Sequence, residues 1–459
     1  MELAIVLIFI IGYLAIALEH PIKINKTASA LVTGVLCWTL FMVADSPPTL
    51  LDSSHYKHFI DELQRNVADF SLLSTTQIHR EYVIDQLGHH LNEIAQILFF
   101  LMGAMTIVEL IDAHQGFKFI TDRIRTKSPK KLLWIVCGVA FLLSAILDNL
   151  TTTIVMVSLI RKLIPNKEMR LFFAGMIVVA ANAGGAWSPI GDVTTTMLWI
   201  GGQITAVNIV KTLILPSIVC AVIPLIYLNF KLKGDLGLPE KKESDKEQAS
   251  QGNGMLMLIV GVAALISVPI FKTVTHLPPY LGMMLGLGVL WVVSELINPD
   301  MDEAERKHFT AAHALTRIDM PSVLFFLGIL LAVGSLEAMG TLHNFAEYLA
   351  HTLGDNRIII TLIGILSSIV DNVPLVAASM GMYDMKIYPA DHMIWEYLAY
   401  CAGTGGSMLI IGSAAGVAAM GMEKIEFIWY LKRISLLALM GYFAGAAVYL
   451  LTYPFFAVH

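Results

Sequence analysis

Two short polar clusters interrupt long apolar stretches of this chain. The first runs from Ser144 to Met156 and holds Asp148, Asn149, Thr151, Thr152 and Thr153 at its centre. The second runs from Ser367 to Leu375 and holds Asp371 and Asn372, followed by Val373 and Pro374. A carboxyl, an amide and hydroxyls gathered inside apolar sequence can hold a hard cation or carry a proton. Burying them at membrane depth costs several kcal/mol unless they find partners, so such residues are functional candidates by default. Two further interruptions belong with them. One is Asn182-Ala183-Gly184-Gly185-Ala186-Trp187-Ser188-Pro189-Ile190-Gly191-Asp192, followed by Thr194. The other is Gly403-Thr404-Gly405-Gly406-Ser407, followed by Gly412 and Ser413.

The elements that must position these groups are membrane helices. Of the 459 residues 56% are hydrophobic and only 14% are charged, with a mean hydropathy of +0.70. A soluble chain of this size carries about 25% charged residues. Several stretches exceed the ~18 apolar residues that cross a bilayer as a helix. The expected fold is therefore all-α and polytopic. The net charge of −6 resides in the loops and points to no nucleic acid. Residues 3–18 lack a basic flank and a small-residue cleavage site, and read as a first span rather than a signal peptide. Cys37, Cys137, Cys220 and Cys401 fall in apolar segments and read as small buried hydrophobes, with neither metal spacing nor a disulfide framework.

In chain order the expected spans are 2–18, 28–44 and 92–113, with a polar loop over 46–90 that carries short amphipathic helices and whose histidines (His55, His58, His79, His89, His90) read as a solvated face. Residues 114–131 and 161–170 are basic and flank the apolar segment 132–160. Basic loops favour the cytoplasmic side, so both ends of that segment belong on one side. It reads as a re-entrant hairpin with Asp148 near its tip, which is tolerated where the backbone lines a cavity. Gly-Gly and Ser-Pro break the following span, 171–200. A span over 206–230 leads to a charged linker, 232–253. The second half repeats the plan: spans 254–271, 278–297 and 320–340, a hairpin 357–383, a broken span 393–421 and a last span 433–456.

Offsets carry the repeat. Asp148 and Asp371 lie 223 residues apart, and Gly184/Gly405, Gly191/Gly412 and Asp192/Ser413 lie 221 apart. The expectation is two inverted repeats, 1–231 and 254–459, each of five transmembrane helices plus a hairpin, since an odd number of crossings inverts the second. On this topology 23 of the 30 Lys and Arg are cytoplasmic and both termini are outside.

The two tips and two broken helices are expected to meet near the bilayer centre. They would bring together Asp148, Asn149, Thr151, Thr152, Ser188, Asp192, Thr194, Asp371, Asn372, Thr404, Ser407 and Ser413, with no Lys or Arg. An oxygen-rich, negative cavity suits a monovalent cation or protons, with Na+ at Asp148 and Asp371. Burial favours the protonated carboxyl and a bound cation favours the ionised one. Sodium and protons therefore compete for one group, and exchange follows if only loaded forms switch sides. Glu109 and Glu337, near span ends, are candidates for proton access. Asp192 also fits a helix N-cap, and the threonines fit hydrogen bonds to helix carbonyls. No resident cofactor is implied. An intramembrane aspartyl protease is disfavoured, because each Asp precedes an Asn at a helix break and no Gly-x-Gly-Asp motif is present, so no enzyme is expected.

The paired Asp-Asn tips, Leu147-Asp148-Asn149-Leu150-Thr151-Thr152-Thr153, Trp187-Ser188-Pro189-Ile190-Gly191-Asp192-Val193-Thr194-Thr195 and Glu109-Leu110-Ile111-Asp112-Ala113-His114-Gln115-Gly116-Phe117 resemble the ion transporter superfamily. Within it the chain resembles NhaD-type sodium/proton antiporters over essentially its whole length. The resemblance implies Na+ (and Li+) exchanged for H+, a bacterial cytoplasmic membrane, a homodimer in the lipid bilayer, and an elevator-like motion of a transport domain against a scaffold. Sodium-coupled dicarboxylate or citrate symporters and arsenite permeases are the alternative. Carboxylate carriers place Ser-Asn-Thr at both tips, and this chain departs from that pattern.

Overall fold

The computed structural model describes residues 2–44, 50, 54–66, 70, 73–118, 126, 128–231, 248–297, 309–369 and 371–456. These residues form helices and connecting turns, with no strand among them. Nine of the helices are long and apolar enough to cross a membrane; a tenth follows if Thr341–Leu353 and Asn356–Leu366, bent by 112°, count as one span. The basic residues Arg123, Arg125, Lys127, Lys233, Lys241, Lys242, Lys246, Arg306 and Lys307, and residues 232–247 of the linker, lie outside the described residues, as do the side chains of His55 and His58.

Local chemistry sets the helix starts. Asn25 accepts the Thr27 N–H ahead of Lys26–Val43. Ser128 accepts the Lys131 N–H, with Pro129 at the first turn of Pro129–Leu147. Asn166 accepts the Met169 N–H ahead of Lys167–Ala186. Each satisfies one of the amides that a helix N-terminus leaves unpaired.

The chain forms two compact units. One comprises Met1–Leu98, Asp319–Ile359 and Val373–Tyr388; the other comprises Phe99–Ile318, Ile360–Asn372 and Pro389–His459. They interleave along the chain, so compactness divides it differently from the offset of the sequence repeat.

In the first unit Lys26–Val43 crosses Met320–Ala338 at two glycines. A side chain on Gly34 would strike the backbone of Gly328, and one on Gly328 would strike that of Ala30 and Leu31. Such small residues let helix backbones approach where the bilayer supplies no hydrophobic drive between them. Trp38 Nε1 donates to the Leu331 carbonyl at 2.8 Å across the same crossing.

One helix differs from expectation. Thr75–Ala113 is continuous over 39 residues, where the sequence suggests a loop to residue 90 and a span from 92. Its early turns bury His79, Tyr82, Val83 and His90, followed by Ile94 and Ile97, which lie on one helical face. His79 Nε2 pairs with the Phe41 carbonyl at 2.8 Å, and Tyr82 donates to the Ala338 carbonyl at 2.9 Å. His79 and His90 are thus packed side chains, not part of a solvated face; His89 is exposed. The helix Thr341–Leu353 was also unforeseen. The last span begins at Phe427 and passes through a π turn, Leu431–Ser435, into Leu436–Phe456.

The second unit is built around Lys167–Ala186, in which every residue from Phe173 to Ala186 is buried. Pro129–Leu147, Asn149–Leu163, Ala206–Lys231, Met393–Gly405 and Ala414–Glu423 all pack on it. Small residues make this possible, since Ala and Gly occupy six of the last seven positions.

Candidate functional site

Asp148 separates two helices that pack on each other and on the same central helix. The arms have 19 and 15 residues. Asp148 takes φ 103° and ψ 160°, a conformation that favours glycine. Its carboxylate turns back on its own helix, with Oδ1 2.7 Å from the Thr151 N–H and Oδ2 2.8 Å from the Thr151 hydroxyl. The tip residue therefore caps its own arm, and its neighbour reaches across. Asn149 Nδ2 donates to Asp192 Oδ2 at 2.8 Å and to Asn182 Oδ1 at 3.0 Å.

Asp192 is the meeting point. It lies 2% exposed at the start of Val193–Ile200, where Oδ1 accepts the Thr194 N–H at 3.0 Å and the Thr194 hydroxyl at 3.1 Å. The N-cap expectation holds, and the residue does more. Asn372 Nδ2, from the second tip, lies 3.4 Å from Oδ2 and 3.5 Å from Oδ1. One carboxylate thus receives an amide from each tip, and no Lys or Arg ion pair with it occurs among the described residues. The network continues through Asn182, whose Nδ2 donates to Ser413 Oγ at 3.0 Å. Ser413 caps Ala414–Glu423 by accepting the Gly416 N–H at 3.1 Å. Asn182 opens the break quoted from the sequence but was not among the expected ligands; its signal was an amide inside an apolar, alanine-rich run.

Contacts recur at the sequence offsets. Ser144 Oγ donates to the Ala181 carbonyl at 2.6 Å, and Ser367 Oγ to the Ala402 carbonyl at 2.9 Å. A side chain on Gly184 would strike the Phe141 carbonyl, and one on Gly405 the Gly364 carbonyl. A Cβ on Gly191 would sit 2.8 Å from the Ser144 oxygen, and one on Gly412 2.8 Å from the Ser367 oxygen. The ends are tied crosswise. Arg161 Nε at 2.8 Å and Arg170 Nε at 2.6 Å hold the buried Glu423, at the end of the second broken helix. Asp391, ahead of Met393–Gly405, accepts the Thr205 N–H at 2.6 Å and its hydroxyl at 2.8 Å, just past the end of the first broken helix.

The remaining candidates divide. Asp371 is half-buried, directly before Asn372. Thr152 is fully buried, and among the described residues its hydroxyl and that of Thr153 have no hydrogen-bond partner, where bonds to helix carbonyls were expected. Ser188 Oγ is turned to the Ala145 carbonyl at 2.5 Å and ties the break to the first arm. Thr404 and Ser407 donate to their own helix, at the Tyr400 and Thr404 carbonyls. Glu109 lies away from the network, 3.4 Å from Arg317 Nε. Glu337 belongs to the first unit, where a Cβ on Gly381 would come within 3.0 Å of its carboxyl carbon. The described residues contain no cluster of three or more His, Cys, Asp or Glu able to hold a metal. The oxygens gathered here suit a weakly held monovalent cation, which needs neutral donors and one charge rather than a cage of acids.

Residues 5–397 match the family described as Citrate transporter. "Sodium/proton antiporter 1" of Arabidopsis thaliana is 47% identical over 98% of this chain and 72% of its own length. "Sodium/proton antiporter 2" of the same plant is 44% identical over 98% and 99%. "Na(+)/H(+) antiporter NhaD" of Vibrio cholerae is 28% identical over 98% and 91%.

Proposed function

We propose, from the premise that this chain belongs to the citrate transporter family and within it to the NhaD-type sodium/proton antiporters, that it exchanges Na+ for H+ across its membrane by alternating access. It is an integral membrane transporter and not an enzyme. The observation that carries the reading is Asp192, a single buried carboxylate bonded to one asparagine from each tip. A carboxylate among amides and hydroxyls can lose a proton and gain a cation without any change of fixed charge nearby. Both ligands compete for the same oxygens, so loading with either removes one buried negative charge that the unloaded site retains. That difference penalises switching while empty, as exchange requires.

In this reading Asp192, Asp148 and Asp371 share the cation and the proton. Asn149, Thr151, Thr152, Ser188, Thr194, Asn372, Thr404, Ser407 and Ser413 supply neutral oxygens or hold those that do. Glu109 and Glu337 serve proton access. The recurring contacts support a pair of repeats, which the odd number of crossings makes inverted and the basic loops orient with both termini outside; the crosswise ties support their moving as one elevator-like body. Li+ follows Na+ as a second hard cation. We place the protein, as a homodimer, in a membrane that carries a proton gradient, a bacterial cytoplasmic membrane being the expected one.

The test uses everted membrane vesicles with an acidic lumen and a pH-sensitive dye, given NaCl, LiCl or KCl from pH 6.5 to 9.5. Na+ and Li+ should dissipate the gradient in the wild type and fail to do so in Asp148→Asn and Asp371→Asn. Absence of any cation response, with the protein present in the membrane, would refute the exchange. The family description favours one second reading, and citrate-dependent Na+ uptake in the same vesicles would establish it instead.

A further inference from the structure

Glu396 is a buried carboxyl that the site above does not use. It lies 1% exposed, in the first turn of Met393–Gly405, eight residues and about 12 Å of helix from Thr404. Three helices of the second unit meet around it. Asn208 Nδ2, from Ala206–Lys231, donates to Oε1. The Tyr449 hydroxyl, from Leu436–Phe456, donates to Oε2 at 2.7 Å. Among the described residues no Lys, Arg or His forms an ion pair with it. Among the described residues the charged or titratable groups around it are Tyr449, with Tyr397 stacked on that ring and Tyr453 tilted against it, and Asp391 at the mouth of the helix. Thr212 and Asn208, on the third helix, are neutral.

A buried carboxylate with no countercharge is costly, and the ordinary escape is to bind a proton. The surroundings of Glu396 accommodate that change. A phenol donates or accepts, and a side-chain amide offers either an N–H or an oxygen after a flip. Tyr449 has its alternative acceptor in place already, because its hydroxyl lies 3.3 Å from the Met393 carbonyl. When Glu396 gains a proton from water, its new O–H donates to the Tyr449 oxygen and the phenol proton turns to Met393. When the proton leaves for water, the phenol turns back. No other bond changes, and no hydrogen bond is lost in either state.

We propose that Glu396 is a second proton-binding site of this transporter, separate from the Asp192 centre, with Tyr449 and Asn208 built to serve both its protonation states. Its part in transport rests on the sodium/proton reading above, and the test separates the two. Purified protein in lipid is examined by infrared difference spectroscopy between acid and alkaline buffers without Na+, following the carbonyl stretch of a protonated carboxyl. A titrating band should be present in wild type and in Asp192→Asn, and absent from Glu396→Gln, which keeps the shape and both partners. Tyr449→Phe, which keeps the carboxyl and removes the phenol, should retain the band at an altered frequency. In proteoliposomes Glu396→Gln should cut Na+-driven proton movement at least fivefold while leaving Na+ binding within twofold of wild type. A Glu396→Gln spectrum identical to wild type, or a Glu396 band that does not respond to pH, would overturn the proposal. Wild-type protein that shows the Glu396 band but no Na+-driven proton movement would instead sink the exchange reading and leave the proton site standing.

Discussion

Replacing Asp192 by Asn removes one charge and almost no volume, which makes it the most informative substitution in the network. Asn caps a helix as well as Asp does, so its oxygen can keep the Thr194 N–H at 3.0 Å. Its Nδ2 must then occupy the position of Oδ2, which lies 2.8 Å from Asn149 Nδ2 and 3.4 Å from Asn372 Nδ2. Donor faces donor. The bond lost to Asn149 is charge-assisted, so the expected cost is about 1.5–3 kcal/mol of stability. Cation binding should suffer more, because the charge that attracts it is gone. The assay is thermal unfolding of purified protein with and without NaCl, against choline chloride as the ionic-strength control. A ligand at a hundredfold its Kd stabilises the folded state by about 2.7 kcal/mol, and that increment should vanish in Asp192→Asn. If Asp192→Asn keeps the Na+-dependent increment, this carboxylate does not hold the cation and the argument built on it fails.

Three further outcomes are expected. Gly405→Ala drives a methyl into the Gly364 carbonyl and should cost about 1–3 kcal/mol in thermal unfolding, while Gly138→Ala, with open space around it, should cost nothing measurable. Glu423→Gln leaves Arg161 and Arg170 without their carboxylate and should cost about 3 kcal/mol, read by thermal unfolding, with Na+ affinity unchanged. His392 accepts the Ile394 N–H on Nδ1 at 3.3 Å at the start of its helix, and burial holds its pKa below the ordinary histidine value. The unfolded chain therefore binds that proton more readily, so stability is full above the unfolded pKa near 6.5 and falls as pH drops through it. His392→Asn, a better cap, should flatten that part of the stability–pH curve.

The first hairpin was legible because Asp148-Asn149 is a sharp polar break between apolar arms, and the broken helices because Gly-Gly and Ser-Pro admit few alternatives. The matched close approaches were legible for a related reason: residues that must be small for backbone contact, such as Gly184 and Gly405, keep their spacing. The centre of the site was less so. Asp148 and Asp371 drew attention by position, yet Asp148 spends its oxygens on its own helix, and the adjacent amide makes the long-range bond. Pairings such as Asn182 with Ser413, 231 residues apart, leave no local pattern. The early turns of Thr75–Ala113 were misread because His79 and His90 occupy core positions where the helical period leads one to look for apolar residues. Glu396 was missed because one carboxyl in the first turn of a helix looks like ordinary favourable chemistry with the helix dipole.

The backbone of Asp148 has a consequence for how this protein can be improved. At φ 103° and ψ 160° a side chain of any kind is strained, by about 1–3 kcal/mol, and glycine alone would relax there. On the proposed reading, selection for stability and selection for transport pull this position in opposite directions. A screen that rewards only a higher melting temperature should return Asp148→Gly, a sturdier molecule deprived of the carboxyl at its tip. Persistence of the acid under that pressure would show instead that its two bonds to Thr151 outweigh the strain of the backbone.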